Sequence, residues 1–182
     1  AGFDELSEII SQDVGLSYKL LHYINSAFFA LPSQVESIQH AISYLGLKEV
    51  RRWSNILTLA SLSNKPQAVL QNSLIRAKMC EQLGELIGDK ADGFFLVGML
   101  SCLDSLLDIP IDDALQQLPL ADGIVPAILY KQGLTGEALE CVINYERWNI
   151  PGMVFGNLDQ ESIGEAYVRS VNWAKDVLSI LE

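Results

Sequence analysis

Residues 11–57 read SQDVGLSYKLLHYINSAFFALPSQVESIQHAISYLGLKEVRRWSNIL, and apolar side chains recur there every three or four residues. That spacing is typical of one face of a helix. Asp13 stands where an N-cap is expected, and Ser37 can cap a short helix that Gly46 stops. A second helix restarts at once, with Trp53 on its apolar face. This stretch predicts short helices joined by tight turns.

The same helical spacing continues through the rest of the chain, with no convincing strand alternation, internal repeat or long linker. The fold class predicted is all-α, a single compact multi-helix bundle. The expected elements are a long helix opened by Pro66 and ending near Gly88, a helix over 94–110, short helices near 112–118, 125–131 and 135–147, a loop over 149–158, and a final helix capped by Asp159. Gly84, Gly88 and Gly93 are interpreted as caps or breakers of helices.

Composition and charge narrow the classes of function. The 182 residues are 49% apolar and carry a net charge of −11. An acidic surface repels phosphate backbones, which argues against nucleic-acid and anionic-membrane partners. No apolar run approaches the ~20 residues needed to span a bilayer, and the sequence shows no signal peptide or basic transit segment, so we expect a cytoplasmic protein. Cys80, Cys102 and Cys141 form no CxxC motif and are expected to be free, buried thiols.

The stretch 94–110, FFLVGMLSCLDSLLDIP, places a hydroxyl, a thiol and a carboxylate close together. On one continuous helix, Cys102 falls on the apolar face, whereas Ser101 and Asp104 fall on the polar face. A nucleophile also needs an activating base within reach. We therefore expect a core thiol and a surface stripe rather than a catalytic site.

Histidines are too few and too far apart for a typical metal site. His22 and His40 lie 18 residues apart, and no HxxxH pair occurs. Catalytic zinc and iron sites usually draw on several His, Asp or Glu ligands. Glycine-rich phosphate loops are also absent from the sequence. We therefore predict no bound metal and no cofactor.

A small basic cluster follows the glycine turn at Gly46. Lys48, Arg51 and Arg52 begin the second of two short helices, an arrangement similar to a helix-turn-helix. Only three bases cluster there, and the acidic background opposes binding to DNA. A contact with an acidic partner surface, or a solvated basic face, is the favoured interpretation.

Residues 11–57 closely resemble the HDOD domain of bacterial signalling proteins. The matching features are Asp13, Leu16 and Ser17, the segment Leu20-Leu21-x-x-Ile24-Asn25-Ser26-Ala27, and Ser37-Ile38 leading through Ala41-Ile42 to Leu45-Gly46 and Arg52-Trp53. HDOD domains resemble HD-type metal phosphohydrolases that have lost their metal ligands. This implies a protein without the metal that makes the nucleophile of HD enzymes.

The resemblance also assigns positions to the lost ligands. An HD enzyme carries an adjacent His-Asp pair after a GLL-like run, where this chain has Gly98-Met99-Leu100 and then Ser101-Cys102. Arg76 falls near the place of an earlier histidine ligand. The resemblance therefore implies a degenerate site at Arg76, Ser101 and Cys102, and a protein that is not an enzyme.

The second half of the chain narrows the resemblance. Residues 95–120 and VINYERW, 142–148, look like the HDOD part of two-domain proteins that place an EAL domain in front. The match is strongest over 3–148, with a last helix over 159–182 packed on it, so we expect one domain over 1–182. EAL domains are cyclic-di-GMP phosphodiesterases, active or degenerate. The resemblance implies a regulatory protein-interaction module whose own upstream EAL domain, before Ala1, is a partner, together with other proteins still unknown.

Two other functions stay open at this point, as does assembly into a homo-oligomer. A divergent metal-dependent phosphohydrolase would use carboxylates such as Asp104 and Asp108, brought together with His or Glu from another helix. A small-ligand sensor would hold its ligand in a pocket between helices. The aromatic residues that would line such a pocket are Phe28, Phe29, Trp53, Tyr130 and Trp148.

Overall fold

The computed structural model describes residues 10, 12–26, 29–62, 65–89, 93–118 and 120–181. Within these residues every regular element is helical, which confirms the all-α fold class. The helices are α1 (Val14–Ile24), α2 (Ile38–Leu45), α3 (Leu47–Leu62), α4 (Gln67–Leu86), α5 (Gly93–Leu100), α6 (Leu103–Leu107), α7 (Ile111–Gln116), α8 (Ile124–Tyr130), α9 (Gly133–Glu146), a 3-10 turn (Ile150–Gly152) and α10 (Gln160–Leu181). None of these described helices has the length and apolar character that crossing a bilayer requires.

The chain divides into two compact units. Unit 1 comprises residues 1–64 and 179–182, and unit 2 comprises residues 65–178. The assignment of 1–182 to one domain stays a prediction, and each unit is described by itself below.

The helix ends of unit 1 follow the local sequence. The Asp13 carboxylate accepts a hydrogen bond from the N–H of Leu16 at 2.9 Å, and the Ser37 hydroxyl accepts one from the N–H of His40 at 3.1 Å. Gly46 ends α2 with a φ of 85°, a conformation that disfavours residues with a Cβ. All three capping predictions are confirmed. Helical spacing also predicts an apolar stripe of Phe3, Leu6, Ile9 and Ile10. Ile10 is buried, whereas the other three lie outside the described residues, as does Ala27.

Asn25, the residue that follows α1, connects two parts of unit 1. Its side-chain amide donates to the carbonyl oxygen of Val35 at 2.8 Å and accepts from the N–H of Val35 at 2.7 Å. This pair of bonds ties the end of α1 to the approach of α2. Trp53 of α3 packs beside Tyr23 and Phe29, with ring centroids 5.9 and 5.2 Å apart, so Trp53 belongs to the core.

In unit 2, glycine allows α4 and α5 to pack closely. A Cβ on Gly98 would lie 2.7 Å from the Cα of Ala77 and 2.7 Å from the carbonyl oxygen of Arg76. A Cβ on Gly84 would lie 2.6 Å from the ring of Phe94. The interpretation of Gly84 as a cap or breaker is therefore wrong, because it lies inside α4 and makes room for an aromatic ring.

The stretch 94–110 is not one helix. α5 ends at Leu100, a turn follows at Ser101 and Cys102, and α6 begins at Leu103. The Ser101 hydroxyl donates to the carbonyl oxygen of Gly98 at 2.7 Å, and the N–H of Cys102 reaches back to Met99 at 3.5 Å. Serine side chains compete in this way with regular helix hydrogen bonds. The single-helix prediction is wrong.

The burial expected for the stretch 94–110 holds except at Ser101, which was expected at the surface and is half-buried. Cys102 and Leu106 are buried, whereas Asp104 and Asp108 are exposed. α5 itself is buried almost all round rather than on one face, because apolar side chains cover it on every side. Its buried residues are Phe94, Phe95, Val97, Gly98, Met99 and Leu100.

The C-terminal part of unit 2 begins with an unusual residue. Trp148 follows α9 with a φ of 56°, and its indole is 71% exposed. The Asp159 carboxylate accepts from the N–H of Ser162 at 2.8 Å, which confirms the predicted cap of the last helix. The apolar stripe expected on α10 is buried from Ile163 to Val177.

Candidate functional site

Arg76 of α4 lies at the centre of a polar cluster in unit 2. Its Nε and Nη2 donate to the two carboxylate oxygens of Glu146 at 3.0 and 2.7 Å. Its Nη1 donates to the Ser101 hydroxyl at 3.0 Å and reaches the Ser101 carbonyl oxygen at 3.5 Å. The side chains of Arg76 and Glu146 are 19% and 28% exposed. We call Arg76, Ser101 and Glu146 the Arg76 site.

The helix break between α5 and α6 positions Ser101. Its hydroxyl donates to Gly98 while it accepts from Arg76, so both of its hydrogen-bonding roles are used. The bidentate pair with Glu146 matches the fork geometry of a guanidinium to a carboxylate. Each of the three guanidinium nitrogens of Arg76 therefore has at least one acceptor inside the protein.

Electrostatics hold the guanidinium in its charged form. Burial alone would lower the pKa of Arg76, but the hydrogen bonds and the charge of Glu146 outweigh burial, so that its pKa is raised. Arginine is protonated at any physiological pH in any case. The site thus contains a permanent positive charge.

The three thiols of unit 2 stay neutral, and two of them, Cys80 and Cys102, lie close enough to Arg76 to interact with its charge. Burial raises the pKa of Cys80, and it raises that of Cys102 against the opposing effect of Arg76 and the hydrogen bond with Ser101. Burial raises the pKa of Cys141 to about 11. All three cysteines are free and buried, which confirms that expectation. Because the thiolate is the nucleophile and the metal ligand, these neutral thiols are poor at both roles.

The three sequence-predicted positions of the degenerate site come together in unit 2. Arg76 bonds to Ser101, and the Cys102 sulfur lies 4.0 Å from the Ser101 hydroxyl. In the described part of the chain, no three His, Cys, Asp or Glu side chains are grouped so that they can hold a metal ion. The arrangement can fix helices α4, α5 and α9 in register through one ion pair and its hydrogen bonds.

The basic cluster Lys48, Arg51 and Arg52 lies on the first turns of α3 in unit 1. Arg52 pairs with Glu49 at 2.8 Å, and its side chain is half-buried. Lys48 and Arg51 also each make at least one polar, electrostatic or ring contact, so neither is without a partner. The cluster is thus partly engaged within the protein rather than a bare basic surface.

The carboxylates of the hydrolase alternative have local partners. Asp108 pairs with Lys65, and Asp104 accepts from the N–H of Ser105 at 2.7 Å. The aromatic residues of the sensor alternative differ in placement. Trp53 is buried, Tyr130 and Trp148 are largely exposed, and Phe28 lies outside the described residues.

Sequence reasoning missed Glu146. It lies in the quoted segment VINYERW, one helical turn beyond the buried residue Val142, so it follows the inner face of α9. The feature of the sequence that points to such a residue is Arg76, because an arginine at an interior position of a helix needs a carboxylate partner. Helix spacing alone does not say which of the acidic residues of the chain supplies it.

Comparison with known proteins places these residues in a family. A family model for the HDOD domain matches residues 1–113. The uncharacterized protein YuxH of Bacillus subtilis (strain 168) is 34% identical over 180 residues, covering 95% of this chain and 44% of YuxH. The cyclic di-GMP phosphodiesterase CdgJ of Vibrio cholerae serotype O1 (strain ATCC 39315 / El Tor Inaba N16961) is 30% identical over 179 residues, covering 94% of this chain and 41% of CdgJ.

The chain therefore spans less than half the length of these two relatives. No solved structure matches it significantly. Arg76, Ser101 and Cys102 lie inside the segment that the family model matches, whereas Glu146 lies beyond it. Since that segment covers well over half of the sequence, the chain belongs to the HDOD domain family.

Proposed function

We propose that this chain is a non-catalytic, regulatory protein-interaction module of a bacterial signalling protein. The observation that supports the proposal is the guanidinium of Arg76, held 3.0 Å from Ser101 and paired with Glu146. By resemblance, the positions of Arg76, Ser101 and Cys102 correspond to metal ligands in HD enzymes. A cation that belongs to the protein stands there instead.

A fixed charge in this position opposes a divalent ion. The guanidinium repels a divalent ion, and although the Glu146 carboxylate offsets much of that repulsion, the pair has no net negative charge that would attract the ion. The only carboxylate of the Arg76 site is already used by Arg76. Metal-assisted hydrolysis needs a metal to lower the pKa of a bound water, so this arrangement supports a role outside catalysis.

We further propose that the module acts in cyclic-di-GMP signalling. The relative CdgJ is named a cyclic di-GMP phosphodiesterase, and more than half of its length lies outside the match. We place any such activity in a further part of the protein, an EAL domain upstream of Ala1. The module would then act through contacts with that domain, or with other proteins, in the cytoplasm.

A hydrolysis assay tests the non-catalytic proposal. The purified 182-residue protein would be incubated with cyclic di-GMP and with bis(p-nitrophenyl) phosphate in the presence of Mn²⁺ or Mg²⁺. We expect no turnover above the background without protein. Turnover that disappears on Ser101→Ala or Arg76→Met would overturn the proposal, and an active HD-type enzyme serves as the positive control.

The signalling link needs the whole product of the native gene. Its cyclic-di-GMP hydrolysis would be compared with and without residues 1–182. We expect a change in the rate when the module is removed. A gene product with no additional domain, or one whose rate is the same with and without the module, would contradict the link.

A further inference from the structure

A cavity of about 280 Å³ lies within unit 1. Helices α1 and α3 form its walls together with the last residues of α10, which belong to unit 1. Its apolar lining includes Leu57, Ala60 and Ile180. The volume is near the lower end for sites that bind small molecules, so it limits the ligand to a small one.

Four polar side chains of α1 also line this cavity, namely those of Tyr18, Lys19, His22 and Tyr23. Among the residues that the structure describes, no carboxylate pairs with the Lys19 ammonium, and no hydrogen-bond partner is present for the Tyr23 hydroxyl. The Tyr23 hydroxyl is a proton donor at neutral pH, as any tyrosine is, and burial raises its pKa further, to about 12. The cavity thus combines an unpaired cation and an unused donor with an apolar wall.

The aromatic rings of Tyr18 and His22 form one side of the cavity. Their rings are nearly parallel, with centroids 6.3 Å apart and an interplanar angle of 12°. Tyr18 is 72% exposed, so that a ligand can approach from this side. Exposed aromatic faces favour contact with planar or apolar groups.

These features specify a ligand with two ends. We propose that the cavity, which we call the Lys19 cavity, binds a small organic anion with an apolar body, such as an aryl or short-chain carboxylate. The carboxylate meets the Lys19 ammonium and accepts from the Tyr23 hydroxyl, while the body lies against Leu57 and Ala60. This function goes beyond the proposed regulatory role, because it gives the module a site for a chemical input.

The contact with Lys19 should make the cavity bind an anion more tightly than a neutral molecule of the same shape. A neutral amide of the same shape fills the same space but lacks the charge that an ammonium attracts. A charge-assisted hydrogen bond is worth more than a neutral one, so the carboxylate should bind about fivefold or more tighter than its amide.

Titration by NMR tests the proposal. The 182-residue protein would be titrated with benzoate and hexanoate, and in parallel with benzamide and hexanamide. For benzoate and hexanoate we expect saturable chemical-shift changes at millimolar concentration. These changes should be confined to the backbone N–H resonances near Lys19, Tyr23, Leu57 and Ala60. Lys19→Gln should weaken benzoate binding about fivefold, whereas the matched control Lys175→Gln, on unit 2, should leave it unchanged.

A second variant separates the cavity from the charge. Ala60→Leu places a larger side chain in the cavity and should abolish the binding of both carboxylates while Lys19 stays in place. The proposal is overturned if neither carboxylate gives saturable shifts, if the amides bind equally well, or if Lys175→Gln weakens binding as much as Lys19→Gln.

Discussion

The Arg76 site and the Lys19 cavity each contain a cation, yet the two cations differ in their partners. Arg76 donates to Glu146 and Ser101 at hydrogen-bonding distance. Lys19 has no such acceptor among the described residues and lines an open cavity instead. A satisfied cation stabilises the fold that surrounds it, whereas an unsatisfied one is free to attract a ligand. Changes at the first should therefore alter folding, and changes at the second should alter binding.

The largest expected effect comes from the packing that supports the Arg76 site. Gly98→Ala would force a Cβ to within 2.7 Å of the backbone of Ala77 and Arg76. Backbone atoms cannot move away cheaply, so we expect the free energy of unfolding to fall by about 3 kcal/mol in chemical denaturation.

A second helical glycine provides the control for Gly98. A Cβ on Gly164 of α10 would meet its nearest neighbour, the Tyr145 hydroxyl, at 3.7 Å, an ordinary contact. Gly164→Ala should therefore raise stability by up to about 1 kcal/mol. Equal losses for the two variants would contradict the close approach of α4 and α5.

The next effect is the loss of a charge partner. Glu146→Ala leaves the guanidinium of Arg76 half-buried and unpaired, and we expect about 2 kcal/mol of destabilisation. The double variant Arg76→Met/Glu146→Met should recover much of this loss, because no unpaired charge remains. A double-mutant cycle from urea unfolding measures the coupling.

An exposed ion pair gives the comparison for Glu146. Arg169 and Glu165 are one turn apart on α10, 3.5 Å from each other and largely in solvent. Glu165→Ala should cost no more than about 0.5 kcal/mol. A loss at Glu146 as small as that would show that the Arg76 site does not stabilise the fold.

The buried thiols of unit 2 predict a dependence of stability on alkaline pH. The Cys141 pKa is about 11 in the folded protein against 9.0 for an exposed thiol. Between these values the unfolded chain loses a proton that the folded chain keeps, so stability is fully present below pH 9 and falls as pH rises towards 11. The slope from one thiol is at most about 1.4 kcal/mol per pH unit.

Urea unfolding across this pH range measures the slope. Cys80 and Cys102 contribute in the same direction, because burial raises their pKa values too. Cys141→Ala should remove the contribution of one thiol, so that the free energy of unfolding falls less steeply with pH. An unchanged slope would mean that Cys141 ionises as readily in the folded state as in the unfolded one.

The smallest effect on stability is expected at the Lys19 cavity. Lys19→Gln removes an exposed charge without a partner among the described residues, so the free energy of unfolding should stay within about 0.5 kcal/mol of the unchanged protein. A larger loss would place Lys19 with Arg76 among the residues that stabilise the fold. That outcome would remove the contrast between the two sites.

Local chemistry made much of the fold predictable from the sequence. Asp13, Ser37 and Asp159 each accept from a backbone N–H at the start of a helix, as their positions before apolar stripes predicted. Gly46 ends α2 in a conformation that glycine favours. These features depend only on residues a few positions apart, which the sequence displays directly.

Features that depend on distant residues were harder to predict. The turn at Ser101 arises from its bond to Gly98 and from Arg76, which lies 25 residues away. The sequence does not show that Phe94 packs against Gly84, because this is a tertiary contact. Without that contact, a glycine near the end of a helix indicates a helix breaker. Glu146, 70 residues from Arg76, was missed for the same reason. The resemblance to a family located Arg76, Ser101 and Cys102, but it could not supply the partner that neutralises Arg76.

The left-handed backbone at Trp148 has a consequence for experiments in solution. It holds one indole in water, touching Tyr145 only edge-on, while Trp53 is 1% exposed. Water around an excited indole relaxes and reddens its emission, so Trp148 should dominate the long-wavelength side of the fluorescence spectrum. A binding protein that covers this surface would shift the emission to shorter wavelength, which provides an optical signal of association without any added label.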